Sequence, residues 1–94
     1  ISNNNDNQDV VSMGTNSAIM TRKVIDNSYE VVAVLTLAVC QAIDLLNVEE
    51  FQKLCKNTLS LHQLIRKHVA VVEDDVPQFE NIRKVIDILK ENQI

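Results

Sequence analysis

The sequence predicts an all-α chain, and three observations carry that expectation. Val31–Leu46, VVAVLTLAVCQAIDLL, is interrupted only by Thr36, Gln41 and Asp44. It shows no polar–apolar alternation, and Leu35, Leu37, Ala38, Ala42 and Leu45 favour helix. The 94 residues contain one Gly and one Pro, so turns are few and helices long. Toward the end of the chain, Ile82, Val85, Ile86 and Leu89 recur at i, i+3, i+4 and i+7, the stripe of an amphipathic helix.

Wound at about 3.6 residues per turn, Val31–Leu46 places apolar side chains on nearly every side. A helix of that kind must be covered all round. A domain of this size buries only about 60–65% of its unfolded surface, so the chain can hardly supply enough neighbours by itself. The expected architecture is a long-helix bundle, completed by oligomerisation or by a missing N-terminal part. A membrane span would need about 20 apolar residues. This run is shorter, with Glu30 closing one end and Gln41 and Asp44 in the last turns, so a buried core helix is expected and no membrane partner.

The formal net charge is −4, and the basic residues come in scattered pairs: Arg22-Lys23, Arg66-Lys67 and Arg83-Lys84. No basic stripe with interleaved aromatics forms, so no nucleic-acid surface is expected. Cys40 and Cys55 have neither the number nor the spacing of a disulfide framework or a zinc site. Cys40 reads as a small buried hydrophobe with a free thiol. With no visible signal peptide, a reducing cytoplasm is the expected compartment.

Read in order as one helical unit, residues 1–9 are a polar, Asn-rich lead-in, with Asp9 able to cap a helix. Residues 10–47 read as two long helices or one kinked helix. The kink or break is expected at Asp26-Asn27-Ser28, whose side chains compete for backbone hydrogen bonds. Asn47 marks the end. Residues 48–57 are weakly amphipathic, a loop or short helix. Thr58 is the expected cap of a helix over 58–72, with Leu61, Leu64, Ile65 and Val69 at helical spacing. Residues 73–77 are a polar connector in which Pro77 bars Val76 from a helix interior. The last helix covers 78–91.

Few residues invite a chemical reading. His62 and His68, six apart, cannot share a face as i, i+4 metal ligands would, and no metal is expected. Glu73-Asp74-Asp75 lacks the alternating spacing and Gly of a calcium loop and reads as solvated. Tyr29 opens a helix headed for the core, which favours packing over catalysis. The unusual stretch is Asn4–Gly14, where amides crowd the start of a helix. Free N–H groups and the helix dipole there could hold a carboxylate, although a polar tail with a cap accounts for the same residues.

Residues 7–18, NQDVVSMGTNSA, resemble the segment near the active site of the aromatic amino acid ammonia-lyases and aminomutases, the family of the histidine, phenylalanine and tyrosine ammonia-lyases. The resemblance continues through the apolar helix, the S-x-H-x-x-I-R-K segment Ser60–Lys67 and Asp75-x-Pro77, and so covers essentially the whole chain. It implies a C-terminal fragment of a large, mostly helical, homotetrameric fold. Members eliminate ammonia with a methylideneimidazolone electrophile formed from an internal Ala-Ser-Gly. By resemblance, Asn7 and Gln8 match residues that face substrate and electrophile, and Asn4 a residue close by.

The histidine enzymes typically show Gln-Glu-Asp-His where this chain has Asn7-Gln8-Asp9-Val10. An amide at Gln8 cannot act as a base, so the string resembles the tyrosine and phenylalanine branch, or the aminomutases, more closely. No Ala-Ser-Gly occurs here, since the one Gly, Gly14, follows Met13. The expectation is therefore a fragment of an ammonia-lyase or aminomutase, with no cofactor and no catalytic residue of its own. Asn4, Asn7 and Gln8 would form one active-site wall, and a homo-oligomer or the missing N-terminal part would be the partner. The alternative is a non-catalytic helical oligomerisation or scaffold module.

Overall fold

The computed structural model describes residues 6–92, with side chains over residues 14–91. All described regular structure is helical, in four helices: α1 (Asp6–Asp44), α2 (Val48–Gln52), α3 (Lys56–His68) and α4 (Phe79–Asn92). Helix α1 has 39 residues and is about 58 Å long at 1.5 Å per residue. It already includes residues upstream of Asp9, so Asp9 lies within the helix instead of capping it.

Helix α1 also runs unbroken through Asp26-Asn27-Ser28. The hydroxyl that threatened a break is absorbed within the helix, because Ser28 Oγ donates to Val24 O at 2.7 Å. Thr21 and Thr36 donate in the same way to Ser17 O and Val32 O. The helix ends by tightening: Leu45 N–H and Leu46 N–H donate to the carbonyls three residues back, Ala42 and Ile43.

Asn47 then opens α2 with a reciprocal cap. Its Oδ1 accepts from Glu50 N–H at 2.8 Å, and Glu50 Oε1 accepts from Asn47 N–H. Helix α3 has Cys55, not Thr58, at its N-cap position, without a side-chain capping bond; the Thr58 hydroxyl lies 3.1 Å from the Cys55 sulfur. It ends at His68, four residues before Val72. Val69 leaves the helix at φ −130°, and the Arg66 guanidinium donates to the freed carbonyls of Val69 and Ala70. Basic Arg66, Lys67 and His68 occupy the last turn, where the helix dipole favours positive charge.

The core lies where α3 and α4 pack on the C-terminal half of α1. Ala33, Cys40, Ile65, Val69, Val85, Ile88 and Leu89 are buried, with Tyr29, Leu37, Leu61, Leu64, Ile82 and Ile86 packed around them. Ile82, near the start of α4, shares a cleft with Leu37 and Gln41. Lys90, near its end, lies 5.0 Å over the Tyr29 ring. Helix α4 therefore runs antiparallel to α1.

Among the described residues of α1 only one line is covered: Ala33, Thr36, Cys40 and Ile43. Val31, Val32, Val34, Leu35 and Val39 are exposed, as are Ile19, Met20, Val24 and Ile25 further up the helix. The radius of gyration is 19.3 Å, against about 12 Å for a compact domain of this length. Burial thus reaches one side of the apolar helix and leaves the others bare. By length and composition alone, Gly14–Asp44 is apolar enough to cross a membrane, but it carries Arg22, Lys23, Asp26 and Glu30 within it.

Candidate functional site

The densest polar chemistry among the described residues sits where the C-terminal end of α1 meets α3. Asp44 interrupts the apolar run of α1 one turn beyond Cys40. His62 and Arg66, four apart, share one face of α3 and both reach it. His62 Nε2 lies 2.7 Å from Asp44 Oδ1, and Arg66 Nε and Nη2 donate to Oδ2 at 2.8 and 2.5 Å. All three side chains are largely buried, with relative exposures of 13 to 18%.

Burial pushes the Asp44 carboxyl up, but the hydrogen bonds and charges of Arg66 and His62 outweigh it and hold the group below the usual carboxylate range. An ionised Asp44 can only accept, so His62 Nε2 carries the proton. The Phe51 ring meets the imidazole edge-on, 6.3 Å between centroids. Arg66 is also committed to Val69 O, which leaves it little capacity for a ligand. Burial raises the Cys40 thiol, partly offset by Arg66 and reinforced by Asp44, so it stays protonated and inert. The arrangement is chemically suited to joining two helices.

A second device lies beside it. Gln41 Nε2 donates to Val72 O at 3.0 Å, and Val72 N–H donates to Gln41 Oε1 at 3.2 Å. The side-chain amide thus pairs with the backbone of residue 72 as a neighbouring strand would. With Arg66, it fixes the path of the 69–78 connector across α1. Between connector, α1 and α4 a mainly apolar cleft of about 320 Å³ remains, lined by Val34, Leu37, Ala38, Val76 and Ile82 among others.

The expected active-site wall is elsewhere. The backbone of Asn7 and Gln8 lies in α1, about 55 Å along the helix from Asp44, while their side chains and the whole of Asn4 lie outside the described residues. The structure therefore does not join these amides to the Asp44 cluster. Reading by spacing missed that cluster. Asp44 registered as an interruption, Arg66 as one of several basic pairs, and His62 was paired with His68 instead of with Arg66. The available signal was one acid in an apolar helix together with two donors at i, i+4. Among the described residues no group of three or more His, Cys, Asp and Glu could hold a metal ion.

Fold and geometry define a helical segment built for packing, with one long helix far longer than its own core. The profile of the aromatic amino acid lyase family matches residues 1–67, more than half of the chain, and the chain belongs to that family. Histidine ammonia-lyase of Streptococcus gordonii is 33% identical over 88 residues, covering 92% of this chain and 17% of that protein. Histidine ammonia-lyase of Treponema denticola is 31% identical over 93 residues, 99% of this chain and 18% of that protein. The MIO-dependent tyrosine 2,3-aminomutase of Streptomyces globisporus is 33% identical over 93 residues, 99% of this chain and 17% of that protein. The chain thus spans about a sixth of the length of these relatives. No solved structure matches it significantly.

Proposed function

We propose that these residues form a C-terminal segment of an aromatic amino acid ammonia-lyase or aminomutase, and that they are inactive alone. The observation that carries this reading is family membership over a sixth of the relatives' length, in a stretch without Ala-Ser-Gly. The electrophile of the family, a methylideneimidazolone, would have to come from another part of the enzyme. The contribution of this segment is one active-site wall at Asn4, Asn7 and Gln8, carried on a long helix whose bare sides are covered by protein. That covering is either further copies of the chain or the remainder of a lyase, in the cytoplasm.

Two features support protein over lipid as the cover: the four charged residues between Arg22 and Glu30, and the buried ion pair that closes the helix at Asp44. Gln8 favours a tyrosine or phenylalanine enzyme or an aminomutase over a histidine enzyme, because an amide cannot deprotonate an ammonium group. The test is to incubate the purified chain with histidine, tyrosine and phenylalanine and follow the ultraviolet absorbance of the unsaturated acids. No product above blank is expected. Turnover by protein free of other lyases would overturn the claim of inactivity. A scaffold module without chemistry is the second reading. It is favoured if Asn7→Ala and Gln8→Ala leave activity intact once this segment replaces its counterpart in the S. gordonii enzyme.

A further inference from the structure

Helix α1 is anchored over its C-terminal half alone. Tyr29 is the first of its described residues packed against the core, and Lys90, near the end of α4, lies over that ring. From Gly14 to Ser28, about 22 Å of helix, no side chain is buried and all but Asn16 are exposed. Among the described residues, the side-chain bonds of this stretch stay within the helix: Thr21 to Ser17 O, Ser28 to Val24 O and Arg22 to Asp26.

Local preference does not replace the missing contacts. Of residues 14–28, only Ala18, Met20, Arg22 and Lys23 are strong helix formers. Hydroxyls that bond back to the preceding turn, as Thr21 and Ser28 do, weaken a helix slightly. The Arg22–Asp26 pair spans 4.0 Å with side chains 83 and 53% exposed, and it sets base before acid, the weaker order. No close packing within the chain calls for Gly14, where a Cβ would meet nothing within 4 Å. The docked half supplies a nucleus, but each further turn fixes more backbone with little gain. Ile19, Met20, Val24 and Ile25, 49 to 62% exposed, gain only when something external buries them.

We infer that α1 is built as two units with separate stabilities. Residues 29–44 are held by the chain's own core. Residues 14–28 keep the helix only under cover from other protein, and open locally without it. This rests on the reading that α1 carries an active-site wall at Asn7 and Gln8, and it adds how that wall is regulated. Residues 14–28 are the link between the core and the backbone of Asn7 and Gln8. The wall is therefore placed only while the link is covered, and a free chain presents no formed site to substrate.

The test is residue-resolved amide hydrogen exchange on the full chain across a dilution series, with sedimentation at each concentration. At the lowest concentration, amides 15–28 are expected to exchange at least about 100-fold faster than those of Cys40, Ile65 and Val85. Asn27→Ala, at an exposed position next to the anchored half, is expected to slow them about 3-fold, the size of that helix preference, and to leave Ile65 unchanged. Protection of 15–28 equal to that of Ile65 at every dilution makes α1 one unit and overturns the inference. So does an Asn27→Ala effect of the same size at Ile65, or loss of protection at Ile65 along with 15–28. None of these results touches the reading of an inactive lyase segment, which is tested by turnover of amino acids and not by exchange.

Discussion

Arg66 grips one oxygen of Asp44 with two nitrogens, Nε at 2.8 Å and Nη2 at 2.5 Å, across 22 residues of sequence. This contact, with His62 on the other oxygen, fixes the angle at which the chain returns along α1 after α2. Removing one partner strands a charge in a largely buried place. Asp44→Asn is expected to lower unfolding free energy by about 1.5–3 kcal/mol, the range for hydrogen bonds to charged groups. Urea unfolding of wild type and variant at neutral pH measures it. Equal midpoints would show the triad to be energetically idle.

Acid should erase that difference. The Asp44 carboxyl lies below its ordinary value of 3.8 in the folded chain. A group depressed on folding contributes stability that is fully present above its unfolded pKa and lost as pH falls through the folded one. The gap between wild type and Asp44→Asn should therefore be constant above about pH 5 and close below about pH 4. A gap that widens on acidification would contradict the assignment.

The Gln41 clamp has its own readout. Gln41→Leu removes both partners of the Val72 peptide while preserving approximate volume. Each such hydrogen bond contributes about 0.5–1.5 kcal/mol, so Val72 amide exchange should quicken by roughly 2- to 10-fold. Exchange at Ile65, in the core of α3, should change little. Unaltered exchange at Val72 would show that the connector holds its path without Gln41.

The two thiols should separate cleanly. Cys55 is exposed and Cys40 buried, both unpaired. The Thr58 hydroxyl, followed by Thr58 and neighbouring backbone groups, holds the Cys55 thiol below its ordinary value. Native thiol titration is expected to find one fast group, slowed by Thr58→Val at neutral pH, and a second only after denaturation. Two fast groups in the native chain would place Cys40 outside the core.

Core and outer face should respond differently to concentration. Ile65 is fully buried, whereas Leu35 is 59% exposed on the side away from α4. Ile65→Ala should cost about 2–5 kcal/mol at every protein concentration. Leu35→Asp should act through dissociation, lowering the midpoint only where wild type is assembled. Unfolding by Leu35→Asp of a chain that is monomeric as wild type would show that Leu35 serves the chain's own core.

The sequence by itself determined the all-helical class, the family and the imbalance between apolar surface and available cover. These depend on local propensity, on periodicity and on a motif string, all readable along the chain. Helix limits were legible only to within a few residues. The end at His68 and the continuity through Ser28 depend on which hydrogen bonds win: the Arg66 guanidinium takes the freed carbonyls after His68, and the Ser28 hydroxyl turns back to Val24 O. Tertiary structure alone decided which line of α1 is covered, because Val31–Leu46 is apolar on every side and its sequence cannot rank equivalent faces. It also decided the Asp44 cluster, because a carboxylate finds His62 and Arg66 only after α2 turns the chain back. The amides at Asn7 and Gln8 are legible through resemblance alone, because neither periodicity nor spacing singles them out.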